Sequence, residues 1–184
     1  MRKGNWIIIL FFIVQSNFAQ TVIKGNLATA LVAVFNFGIE TKLSNKTSFQ
    51  IDVTASFWNS VNNTPQEFGI IIPEFRYHIK EFGKGLFVGT HIGGSIFKVQ
   101  KWNYAYQDYY QKGFGILIGV TIGYQFTLAE KFGLEVFLGG GSHQGFYKGY
   151  KISDNSRVDL AHKYNKSGEF IPYRGGLMLV YKLQ

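Results

Sequence analysis

From residue 23 to the C-terminus, apolar and polar residues alternate with period 2, and helical spacing is scarce. The segment from Phe114 to Leu128 is the clearest case. Phe114, Ile116, Ile118, Val120, Ile122, Tyr124, Phe126 and Leu128 form one uninterrupted apolar face, opposed by Gly115, Leu117, Gly119, Thr121, Gly123, Gln125 and Thr127. Phe49, Ile51, Val53, Ala55 and Phe57 stand against Gln50, Asp52, Thr54 and Ser56 in the same way. Ile71, Phe75, Tyr77 and Ile79 oppose Glu74, Arg76, His78 and Lys80, and Tyr173, Leu177, Leu179 and Tyr181 oppose Arg174, Gly176, Met178 and Lys182. The pattern predicts eight strands, at 23–31, 34–43, 47–59, 68–81, 86–99, 113–128, 132–147 and 170–183. Tight turns at 44–46, 82–85 and 129–131 alternate with long polar connections at 59–67, 100–112 and 148–169. Only the link near Val32-Ala33 is short at the long-loop end.

Eight alternating strands joined as hairpins suggest an all-β, antiparallel, up-and-down closed barrel, and two inside-out versions of it exist. A soluble barrel turns its apolar faces inward and needs a charged exterior. A membrane barrel turns them toward lipid and fills its lumen with small and polar residues. Here the second face is mostly Gly, Ser, Thr and Gln with a few charges, a thin coat for water but a good lining for a narrow lumen. The strand charges Lys24, Glu40, Lys42, Asp52, Glu74, Arg76, Lys80, Glu135, Arg174 and Lys182 all share that face. Lys98 is the exception, at a strand end, where a basic residue escapes the cost of about 2–4 kcal/mol at the bilayer midplane.

Aromatic residues point the same way. Phe57, Trp58, Phe68, Trp102, Tyr104, Tyr106, Tyr109, Tyr110, Phe114, Phe146, Tyr147 and Tyr173 gather toward the long loops, and Phe82, Phe126, Phe132 and Tyr181 toward the short turns. Two such girdles are expected at headgroup depth. The expected fold is therefore an eight-stranded antiparallel up-and-down transmembrane β-barrel. A soluble, exported, lipocalin-like barrel that binds an apolar ligand is the alternative.

Arg2 and Lys3, an apolar run from Trp6 to Val14 and the small residue Ala19 describe a secretory signal peptide over 1–19, cleaved after Ala19. The barrel domain is then 20–184, and the expected address is the bacterial outer membrane. The 184 residues are 46% hydrophobic and 16% charged, which argues against disorder, and the absence of cysteine excludes a disulfide scaffold or a Cys-based metal site. A formal net charge of +8, two units of it in the leader, is spread along the chain without a Lys/Arg stripe, so no nucleic-acid partner is expected.

The candidate chemistry lies in two places. In the lumen, Glu40, Asp52, Glu74, Arg76, His91, Glu135 and Arg174 are expected to form a charge network, joined by Lys42 and Lys80, that plugs the barrel. A hairpin around 82–85 sets Arg76 opposite His91, and the preceding hairpin sets Glu40 opposite Gln50 and Gly38 opposite Asp52. Ionic groups in so narrow a space need partners, because unpaired desolvation is prohibitive. His78, His91 and His143 share the lumen face and are read as hydrogen-bonded fillers, so no metal and no cofactor is expected. Ser142 and His143 are adjacent and face opposite sides, and His162 beside Asp159 is weak as a site, so no catalytic residue is assigned. A lipid-modifying membrane enzyme is kept as a second alternative. At the long-loop end, Trp102, Tyr104 and Tyr106 with Lys148, Lys151, Arg157 and Lys163 offer stacking surface and positive charge. They suit lipopolysaccharide phosphates, an extracellular glycan or a protein.

Several stretches also carry a family likeness. Asn36-Phe37-Gly38-Ile39-Glu40, Pro73-Glu74-Phe75-Arg76-Tyr77, Gly89-Thr90-His91-Ile92-Gly93-Gly94, and Gly123-Tyr124-Gln125-Phe126 with Leu134-Glu135 and Gly139-Gly140-Gly141 resemble the uncharacterised family catalogued as domain-of-unknown-function family 3575. The resemblance implies a small exported outer-membrane barrel and brings no activity. The run Arg174 to Tyr181 fits a polar-x-Gly-x-x-apolar-x-aromatic pattern that suits the barrel-assembly machinery, although Leu183-Gln184 replaces an aromatic end. The expected protein is a monomer among outer-membrane lipids and lipopolysaccharide, structural or surface-interacting in role.

Overall fold

The computed structural model describes residues 20–60, 62–158 and 163–183. The expected signal peptide with its cleavage after Ala19, the Asp159–His162 pair and the side chain of Tyr104 lie outside the described residues. The alternating segments form eight strands: β1 (Thr21–Asn26), β2 (Phe35–Lys42), β3 (Thr47–Asn59), β4 (Pro65–His78), β5 (Gly85–Val99), β6 (Tyr110–Thr127), β7 (Phe132–Tyr150) and β8 (Asn165–Lys182). Each pairs antiparallel with the next, and β1 pairs with β8, so the sheet closes into a ring. Closure gives every strand two neighbours for its backbone N–H and C=O groups, leaving no edge to protect.

Two elements differ from the alternation. β1 stops at Asn26 instead of continuing to 31, because the Asn26 side chain caps a one-turn helix, α1 (Leu27–Ala30), accepting from the Ala28 and Thr29 amides at 3.2 and 3.4 Å. In β8 the register slips: Gly139 faces Arg174 and Gly140 faces Pro172, which leaves Tyr173 as the extra residue of a bulge. Tyr173 and Arg174 both turn inward as a result. Period 2 places Tyr173 on the outer face, and the bulge overturns that.

Between β4 and β5 the turn is tighter than the sequence suggests. Glu81 bridges Lys84 around Phe82-Gly83, and Gly83 takes a left-handed φ of +82° that a side chain would resist. The register therefore sets Glu74 opposite His91 and Arg76 opposite Gly89, not Arg76 opposite His91. A shift of two residues changes the partner and leaves every side chain on its face. The β2–β3 pairing sets Glu40 opposite Gln50 and Gly38 opposite Asp52, as expected.

The two faces divide against the usual sense. Ile118, Val120 and Leu138 are 60%, 66% and 60% exposed on the outer face, whereas Glu40, Glu74, Arg76 and Glu135 inside are 0% exposed. Lys, Glu and Arg are almost never fully buried unless paired. Their partners define the interior.

Candidate functional site

The interior is floored by apolar layers toward the short turns. Phe82 folds in from the β4–β5 turn onto Val22 and Val180, with its ring edge-on to His78 at 5.4 Å. The alternation places it among the outer girdle aromatics, and instead it closes the floor. Above it sit Phe87, Phe137 and Met178. The Arg76 guanidinium lies 4.3 Å from the Phe87 ring centroid and that of Arg174 5.3 Å from Phe137, so each cation rests on an aromatic face.

On this floor stands an ionic cluster. Arg76 Nη1 donates to both oxygens of Glu135 at 3.0 Å, and its Nη2 donates to Glu74 at 3.3 Å. Arg174 Nη1 donates to Glu74 Oε2 at 2.5 Å, and its Nη2 lies 3.7 Å from Asp52. Lys24 Nζ is 2.5 Å from Glu40 and also donates to Glu135. Gln125 Nε2 donates to Glu135 at 2.6 Å, and Asn36 Nδ2 to Asp52 at 3.0 Å. Ser48 Oγ donates to Glu40 and lies 2.9 Å from His78 Nε2. Asn26 extends the chain of bonds, donating to Asn36 at 2.9 Å and to the Gly175 carbonyl at 3.1 Å.

Glu40, Asp52, Glu74, Arg76, Glu135 and Arg174 thus come together, and His91 stands beside them. Its Nε2 is 2.6 Å from the Tyr173 hydroxyl and its Nδ1 3.2 Å from Thr121 Oγ1. Lys42 and Lys80, expected to share the acids, stay outside the cluster: Lys80 lies exposed beyond the end of β4, and Lys42 sits part-exposed at the end of β2. Lys24 supplies the third cation. Its inward face is legible in the alternation, and Glu40 lies on the neighbouring strand, but its pairing with Glu135 on β7 depends on ring closure. Tyr173 cannot be found by period 2, because a bulge delivers it.

The cluster fits tightly. A Cβ on Gly89 would come within 2.0 Å of Glu74 Oε1, and one on Gly123 within 2.5 Å of the Phe87 ring. Nearer the long loops, Ser95 Oγ lies 3.1 Å from His143 Nε2, a serine–histidine contact that sequence spacing misses. Phe97 packs on that imidazole with ring centroids 6.0 Å apart, and across from it a Cβ on Gly115 would stand 2.2 Å from Nε2. The Ser48–His78 contact lies below it, nearer the floor.

At the long-loop end, Trp102 and Tyr106 are exposed, with Tyr104 on the same 3₁₀ turn as Trp102. Lys148 Nζ lies 4.9 Å from the Tyr164 ring centroid, Arg157 bridges Tyr150, and Lys151 and Lys163 are exposed. The two long loops are joined by other residues. Asp108 accepts from the Ile152 and Ser153 amides at 2.8 Å and from Ser153 Oγ at 2.6 Å, and Tyr110 donates to Asn155 at 3.0 Å. These bonds hold the Asp108 carboxyl below the usual aspartate range, the Ser153 hydroxyl contributing most.

A family model described as "Protein of unknown function (DUF3575)" matches residues 5–183, nearly the whole chain. No curated protein and no solved structure matches it.

Proposed function

The chain belongs to the DUF3575 family, whose description assigns no activity, and we propose that it is a small outer-membrane β-barrel with a plugged polar lumen. Its role is structural or surface-interacting, through the long loops. The observation that carries this reading is the inversion of the two faces: an apolar outer wall around a paired ionic interior. In water, an apolar wall of that extent would drive association. Against hydrocarbon it is the favourable surface.

Dimensions support the reading. The outer apolar run from Phe114 to Leu128 covers 14 residue steps, and at about 3.3 Å per residue and a tilt of about 40° it rises roughly 35 Å. That is close to the hydrocarbon core of about 30 Å with its interfacial margins. An interior of paired Arg, Lys and Glu is a poor host for an apolar ligand, which weighs against a lipocalin-like carrier. The cell-fractionation test is direct. Expressed with its leader in a bacterium that has two membranes, the protein should sediment with the outer membrane and resist carbonate extraction. A soluble periplasmic product would reject the reading.

A further inference from the structure

The register of the long-loop end lines up three lysines. Lys98 on β5 is paired with Lys112 on β6, and Lys112 with Lys148 on β7. All three are on the outer face, two residues beyond Ile96, Phe114 and Phe146. Directly opposed side chains stand about 5 Å apart at Cβ, where like charges repel. Glu67 on β4 continues the row and binds Lys98 at 2.9 Å, and Tyr164 ends it over Lys148. Among the described residues no carboxylate is paired with Lys112 or Lys148.

The row borders a groove of about 1040 Å³ whose outward lining includes Phe57, Ile96 and Phe114. Phe114 stacks on Phe146 at 5.3 Å and meets Tyr164 edge-on at 5.7 Å, which makes a firm apolar wall below the charges. Lys112 and Lys148, adjacent on the ladder and without a carboxylate among the described residues, call for an anion attached to hydrocarbon, with Lys98 beside them partly balanced by Glu67. Ammonium groups on flexible stems suit a phosphate as point charges.

We infer that Lys98, Lys112 and Lys148 dock the phosphate headgroup of a membrane lipid, whose acyl chains lie along Ile96 and Phe114. This rests on the membrane-barrel reading above. Each lysine near an anionic membrane surface contributes a factor of about five in binding.

The test uses purified protein reconstituted into nanodiscs of phosphatidylcholine with a minor fraction of phosphatidic acid. Wild type should retain phosphatidic acid through detergent washing, counted by mass spectrometry, and Lys112→Gln should lower that retention about fivefold. Lys112→Arg should keep it, as should Lys46→Gln with Lys131→Gln, two exposed lysines on the short turns at the opposite end. Inorganic phosphate at the same concentration should not displace the lipid. Equal retention by Lys112→Gln, an equal loss in Lys112→Arg or the short-turn variant, or displacement by inorganic phosphate would each overturn the site while leaving the barrel in place. Failure to enter nanodiscs would overturn the membrane reading and this inference with it.

Discussion

Arg174 on β8 donates to Glu74 on β4 at 2.5 Å, joining two strands that stand four apart in a ring of eight. Arg76, two residues along from Glu74, reaches back to Glu135 on β7. The interior is therefore braced across its width, and each brace is a charge that has lost its water. The arrangement holds only while every member keeps its partner.

Replacing Arg76 by leucine removes the cation that Glu135, Glu74 and Glu40 share and leaves only Lys24 and Arg174 for four buried acids. We expect a loss of about 3–5 kcal/mol, read from urea unfolding of protein folded in detergent. Adding Glu135→Gln to Arg76→Leu should recover part of that loss, because one stranded acid is neutralised. A midpoint equal to wild type for Arg76→Leu alone would show that the brace carries no stability.

Gly89 is the register partner of Arg76, and its missing side chain leaves room for Glu74. Gly89→Ala puts a methyl where Glu74 Oε1 now sits, and two arginines hold that carboxylate in place. A destabilisation of about 1–3 kcal/mol is expected in the same unfolding assay. Gly94 is the control, since a methyl added there would meet nothing within 4 Å: Gly94→Ala should unfold near the wild-type midpoint.

A lumen filled by Arg76, Arg174, Lys24 and four acids should pass no steady ionic current. Planar-bilayer recording of the reconstituted protein should show a closed baseline at moderate voltage. A stable open conductance in wild type would mean that the cluster does not seal the barrel.

The loops should loosen in acid. The Asp108 carboxyl is held below its ordinary value, so its docking on Ile152 and Ser153 is complete above the unfolded-chain value of 3.8 and lost as pH falls through the depressed folded value. Amide hydrogen exchange at Ser153 should rise only in that acid range. Asp108→Asn should raise it at neutral pH. Unchanged Ser153 protection in Asp108→Asn would show that the loops are held together by other contacts.

Period-2 alternation makes the strands legible because each residue has only two faces to choose from. Glu40, Asp52, Glu74 and Glu135 can be placed inside on that basis alone. What escapes are departures from the period and contacts across the ring. The bulge at Tyr173 carries a single clue, Pro172, which cannot donate to the ladder. Turn length decides the partner of Arg76, since a two-residue shift keeps both faces intact. Lys24 meets Glu135 at a sequence separation of 111, and the Ser95–His143 contact links β5 to β7. Such pairs become visible only once the sheet has closed. In the loops, Trp102 and Tyr106 read as a cluster with the basic residues, but the bonds between the loops run through Asp108, Ser153, Tyr110 and Asn155.

The orientation of β6 is the claim on which the rest depends, and the chain's lack of cysteine makes it accessible to single-site spin labelling. Labels introduced one at a time from Ile116 to Ile122, in protein reconstituted in bilayers, should alternate in collision with oxygen and with a water-soluble nickel chelate. Positions 116, 118, 120 and 122 should favour oxygen, the lipid-soluble quencher, and positions 117, 119 and 121 should be shielded from it. Equal exposure of both sets to the nickel chelate, or oxygen contact at the odd positions, would contradict the account.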